Sequence, residues 1–177
     1  MKLAFSFVIA ISLLFLIGCA VTYESRLNDC LKKPTLNQKN ECYLGVVLES
    51  KNAALCDNAP DSRDDCIRYL AQSLKESTYC NYINDNSTKN RCYSALAIVT
   101  NDTAPCRAIT ADNNYDKEYC FTSVAELKKD VSICEEITND WYKSNCYMYI
   151  AAKTGDLSIC NRFEGINKTI CLNTPTK

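Results

Sequence analysis

The sequence predicts an all-α fold made of disulfide-stapled helical-hairpin repeats of about 26 residues, stacked as a short α-solenoid or compact helical array. Twelve cysteines from Cys30 to Cys171 follow an alternating spacing in which every second step is 14 residues. Apolar residues recur at helical spacing behind the cysteines that open those steps. Gly and Pro number four each in 177 residues, too few for the turns of a β-sandwich.

In chain order, residues 1–18 read as an export signal. Lys2 supplies a minimal charged start and an apolar run follows from Leu3 to Ile17. The run closes on Leu16-Ile17-Gly18-Cys19. This resembles the lipobox of prokaryotic lipoproteins, in which a small residue directly precedes a cysteine. The resemblance covers the leader and implies that residues 1–18 are removed as a lipoprotein signal peptide. It also implies that Cys19 becomes the first mature residue and carries a diacylglyceryl group on its sulfur. Two other readings compete: ordinary cleavage after Ala20, and an uncleaved anchor helix. Setting Cys19 aside leaves an even number of cysteines and no orphan thiol, which disfavours the uncleaved reading.

Residues 19–27 are then a short tether. Cys19 to Cys30 spans at most ~35–40 Å when extended. Residues 28–177 form the cysteine-rich α-helical repeat domain. The cysteines are Cys30, Cys42, Cys56, Cys66, Cys80, Cys92, Cys106, Cys120, Cys134, Cys146, Cys160 and Cys171. The steps 42→56, 66→80, 92→106, 120→134 and 146→160 are 14 residues each, and the steps between them run from 10 to 14. A constant step alternating with a variable one marks a repeat with a fixed framework and a tolerant loop.

One residue after the leading cysteines stand Tyr43, Ile67, Tyr93, Phe121 and Tyr147. Four after come Val46, Leu70, Leu96, Val124 and Ile150, and five after come Val47, Ala71, Ala97, Ala125 and Ala151. These offsets describe one face of an α-helix, with a small residue where a neighbour approaches. Ten after stand Asn52, Glu76, Asp102, Asp130 and Asp156, all but Glu76 good N-caps for a second helix that carries the next cysteine. Ile83, Ile109, Ile137 and Phe163 extend the buried face of that second helix. The first unit is atypical, with Arg26 at the cap position, as terminal repeats often are.

Pairing across the variable steps closes all twelve cysteines into six short loops: 30–42, 56–66, 80–92, 106–120, 134–146 and 160–171. Pairing across the constant steps strands Cys30 and Cys171. It also separates partners by most of a helix, beyond the roughly 4.4–6.8 Å that a disulfide spans between Cα atoms. Thirteen cysteines in a chain of this length imply an oxidising compartment.

The absence of histidine excludes Ser-His-Asp and Cys-His catalysis and imidazole zinc sites. The chain lacks the C-x-x-C of a thioredoxin-like site and any Gly-rich phosphate loop. Loss of Lys2 with the leader takes the formal net charge from −1 to −2 and leaves no basic stripe, so no nucleic-acid partner is expected. Asp57, Asp61, Asp64 and Asp65 crowd one loop and read as solvated charge. Asp112, Asn114 and Asp116 open like a calcium loop, but Lys117 replaces the required glycine and Ser123 the bidentate Glu. Sequons at Asn86, Asn101 and Asn167 are as frequent as chance allows. No catalytic residue, metal or cofactor is expected.

The aromatic column after the leading cysteines is expected in the core. Trp141, Tyr142 and Tyr149 are the candidate exposed anchor, since two of them sit beside a turn and aromatics are enriched at interfaces. The expected function is a non-enzymatic, membrane-anchored extracytoplasmic binding or scaffold module of the cell envelope, with an envelope protein or glycan as partner and the membrane engaged through lipid on Cys19. The alternatives are a structural, self-associating envelope lipoprotein and an extracytoplasmic enzyme with a carboxylate-based site.

Overall fold

The computed structural model describes residues 23–110 and 114–173, the side chains of Asn114 and Ile166 excepted. The leader, Cys19 and Asp112 lie outside the described residues. A first helix α1 covers 23–31. It is followed by α2 (Leu36–Ser50), η1 (Ala53–Asn58), α3 (Arg63–Leu74), η2 (Ser77–Tyr82), α4 (Asn86–Thr100) and α5 (Ala104–Arg107). Then come α6 (Asn114–Lys128), η3 (Val131–Glu136), α7 (Asp140–Thr154), η4 (Leu157–Arg162) and α8 (Gly165–Leu172), where η denotes a 3₁₀ helix. There is no strand among the described residues.

The long helices begin where the sequence offers a cap. Thr35, Ser62, Asp85 and Asn139 each accept a hydrogen bond from a backbone N–H of the first turn of α2, α3, α4 and α7. Each long helix also ends at one repeat position, nine residues after its cysteine, in the left-handed conformation. The residues there are Lys51, Lys75, Asn101, Lys129 and Gly155. This closure uses the carbonyl of the small residue four positions earlier. Glu76, Asp102 and Asp130 donate their N–H to Ala71, Ala97 and Ala125 at 3.0–3.1 Å, while Lys51 and Gly155 donate to Val47 and Ala151 at 2.9–3.0 Å. The Val/Ala column therefore has two tasks: close packing, and the helix stop.

The second helix of each unit differs from expectation. It is a six-residue 3₁₀ segment in four units and a single α-turn, α5, in the fifth. Few residues separate the left-handed stop from the return, and a 3₁₀ helix covers more length per residue than an α-helix. Asn52, Asp130 and Asp156 cap these segments through their side chains, and Glu76 does not. Asp102 accepts from the N–H of Ala104 at 3.1 Å. Ile83, Ile109, Ile137 and Phe163 lie just beyond the segments rather than within them. Each is buried and donates its N–H to the carbonyl of the preceding half-cystine at 3.2 Å.

All six disulfides follow the variable steps, with Cα–Cα distances from 5.3 to 5.8 Å. Each staples a short segment to the long helix that follows, and in the first unit α1 takes the short segment's place. The long helices pack in succession, α2 on α3, α3 on α4, α4 on α6 and α6 on α7, with the short elements bridging neighbours. One continuous core of half-cystines and the three apolar columns runs through the array. This is a disulfide-stapled helical repeat array in which each unit buries its face against the next. Six disulfides place its maturation in an oxidising, extracytoplasmic compartment. No helix among the described residues is long and apolar enough to cross a membrane.

Candidate functional site

The apolar columns of α6 and α7 take one side of each helix and leave the opposite side to solvent. On that outer side α6 presents Tyr115, Tyr119, Thr122, Ser123 and Glu126, and α7 presents Trp141, Tyr142, Asn145 and Tyr149. The two helices run side by side in the same direction. Tyr115 meets Tyr142 near their starts, with ring centroids 6.1 Å apart, and Lys153 meets Glu126 near their ends at 2.8 Å. Between them lies an open groove of about 360 Å³.

The groove is a ladder of rings. Trp141 stands edge-on to Tyr142 at 4.8 Å, and Tyr115 stacks with Tyr119 at 6.0 Å. Trp141 is 67% exposed and Tyr149 60%, while Tyr115 and Tyr119 are 51% each. The exposed rings form a contiguous patch on one face of the array. The first turn of α7 is fixed by Asn139, whose Oδ1 accepts from the N–H groups of both Trp141 and Tyr142 at 3.0 and 3.2 Å. The cap thus orients the two aromatics as well as starting the helix.

All three anchor residues expected from the sequence are brought together. Tyr115 and Tyr119 are additions. Tyr115 occupies the position five residues before its cysteine that Trp141 occupies in the next unit, so superposing the repeats reveals it. The two tyrosines also wall a second groove of about 260 Å³ against α4, beside Arg91, Ser94 and Ile98. The Tyr column after the leading cysteines is core, as expected. Tyr43, Tyr93 and Tyr147 are buried, with their hydroxyls donating to the Leu55 carbonyl, Asn81 Oδ1 and Glu135 respectively.

The other candidates disperse. Asp57 and Asp64 both pair with Arg63, at 2.7 and 3.1 Å, and Asp65 pairs with Arg68 at 2.8 Å. They are thus held by arginines rather than simply solvated. Asn114 and Asp116 lie in the first turn of α6, not in a loop, which corrects the calcium-loop geometry considered from the sequence. Among the described residues no group of three or more His, Cys, Asp or Glu converges as metal ligands would. Of the sequon residues, Asn86 opens α4, Asn101 forms its left-handed stop and Asn167 lies in α8.

Four of the nine ion pairs among the described residues join segments about one repeat apart. Arg107 forks onto Glu136, and Arg26 onto Glu49. The Tyr147 hydroxyl, with Lys143 and Arg162, holds the Glu135 carboxyl below the usual range, and burial together with Glu135 pushes the Tyr147 phenol up to about 12. No known protein family, curated protein or solved structure matches the chain.

Proposed function

We propose that this chain is a non-enzymatic binding module of a prokaryotic cell envelope, anchored in the membrane by lipid on Cys19 and binding through the outer face of α6 and α7. The groove of rings carries the reading, because Trp141, Tyr149, Tyr115 and Tyr119 are half or more exposed and gathered on two adjacent helices. The disulfide framework supports an extracytoplasmic site of action. A short tether after Cys19 would keep the array at the membrane surface, so a ligand at the cell surface suits it. Glu126, the one carboxylate in the groove, is ion-paired with Lys153, which favours binding over acid–base chemistry there.

Two measurements test the proposal. Intact mass of the membrane-extracted protein is expected to show a diacylglyceryl-modified Cys19 at the N-terminus, and an unmodified Cys19 refutes the anchor. Trp141→Ala with Tyr149→Ala is expected to abolish retention of the soluble repeat domain on cell-envelope preparations while the far-UV circular dichroism stays unchanged. Undiminished retention refutes the groove as the binding surface.

A further inference from the structure

The chemistry of the groove narrows the ligand, on the reading that the groove binds. Its lining carries one formal charge, Glu126, and that carboxylate is already paired with Lys153 at 2.8 Å. A strongly charged ligand finds no counter-charge there. The remaining polar groups are phenol hydroxyls, the Asn145 amide, the Thr122 and Ser123 hydroxyls and the Trp141 indole. All but the indole can both donate and accept hydrogen bonds.

The groove is small for a stable protein partner. A standard protein interface engages about 20–30 residues a side. The nine residues here enclose about 360 Å³, within the range of a small-ligand cleft. A proline-rich peptide also docks between aromatic rings, yet its proline residues offer carbonyl acceptors and no N–H. Such a peptide leaves the acceptors of the lining unmatched. A pyranose unit suits both halves of the surface. Its C–H faces stack on Tyr and Trp rings, and its hydroxyls donate and accept around the rim.

We infer that the α6–α7 groove binds an uncharged polysaccharide chain of the cell envelope, seated against the exposed rings of Trp141, Tyr149, Tyr115 and Tyr119. Because Tyr115 and Tyr119 also wall the groove against α4, the surface continues past one sugar site and favours a chain over a free monosaccharide; that second groove adds Arg91 and Asp116, opposite charges that leave its lining without net charge.

The chain's single tryptophan is Trp141, so its fluorescence reports on the groove directly. The disulfide-bonded mature chain is titrated with neutral hexasaccharides of glucose, N-acetylglucosamine and mannose, with the monosaccharides, and with a polyuronate hexamer as the charged control. Saturable change with at least one neutral hexasaccharide is expected, weaker with its monosaccharide and absent with the polyuronate. Tyr119→Ala is expected to weaken binding about tenfold or more, the loss of one stacked ring, with Tyr119→Phe retaining most of it. Absence of a saturable response to every neutral hexasaccharide overturns the inference, as does preference for the polyuronate. If envelope preparations still retain the wild-type domain and not the Trp141/Tyr149 double variant, the binding reading survives that loss with a different ligand. If retention fails too, both fall.

Discussion

The hydroxyl of Tyr147 donates to the carboxylate of Glu135, joining the two residues that directly follow the half-cystines Cys146 and Cys134. Arg162 donates to the same oxygen at 2.7 Å and lies over the Tyr147 ring, so one carboxylate ties η3 to α7 and to η4. Tyr93 makes the equivalent reach to Asn81 beside the Cys80–Cys92 bridge.

This arrangement predicts an alkaline limit. The Tyr147 phenol ionises at about 12 in the folded chain, against 10.0 for a free tyrosine. Its contribution is complete below pH 10 and is lost as pH rises through 12. The tyrosinate absorbance of Tyr147 should therefore appear late in a pH titration, together with a falling denaturation midpoint. Tyr147→Phe should lower stability by about 1 kcal/mol at neutral pH and remove part of that alkaline loss.

The left-handed stops predict an asymmetry among equivalent positions. Lys129 has φ 53° and Gly155, at the same repeat position, φ 72°. An L side chain is strained there and glycine is not. Lys129→Gly should stabilise the array by about 1 kcal/mol in urea denaturation, and Gly155→Ala should destabilise it by a similar amount. Opposite signs would show that the left-handed stop does not govern stability at these positions.

Glu118 is buried two residues before Cys120, the position held by Asn90 before Cys92. Asn90 accepts from the Thr110 N–H at 3.3 Å, and its Nδ2 donates to the Thr110 carbonyl at 3.4 Å. Glu118 accepts from the Thr138 hydroxyl at 3.1 Å, while its Oε2 has no partner. Glu118→Gln supplies a donor where Asn90 has one, and should raise stability by about 1–3 kcal/mol. A lowered denaturation midpoint would refute this account.

Disulfide loss should act locally. Each bridge closes a loop of 10–14 residues. Such loops contribute about 3 kcal/mol each in the chain-entropy account. Replacing Cys160 and Cys171 by serine should raise hydrogen exchange in α8 and η4 and leave α3 and α4 protected, because repeats contact their neighbours alone. Replacing Cys106 and Cys120 should loosen both halves around α6.

Sequence by itself determined the repeat, the pairing of the cysteines and the identity of the core. Those follow from the alternation of steps: one that runs along a helix cannot be bridged, one that crosses a turn can, as the equally long 106→120 step is, and residues one, four and five after a cysteine share one helical face. Three of the groove's aromatics were legible as well, since Trp141 and Tyr142 sit beside a turn and aromatics are enriched at interfaces.

Tertiary structure decided what depends on neighbours. Four of the five short second helices are 3₁₀ and the other a single α-turn, each held between a left-handed stop and a disulfide, a constraint that local propensity does not express. Tyr115 and Tyr119 belong to the groove because α6 packs beside α7 in register, so that equivalent positions of successive repeats meet. Lys51, Lys75 and Lys129 take a backbone conformation that their own chemistry disfavours, held there by the Val/Ala carbonyls that receive the closing hydrogen bonds. Periodicity tells which side of a helix is outward, and only the packing of one repeat on the next tells which outward residues share a groove.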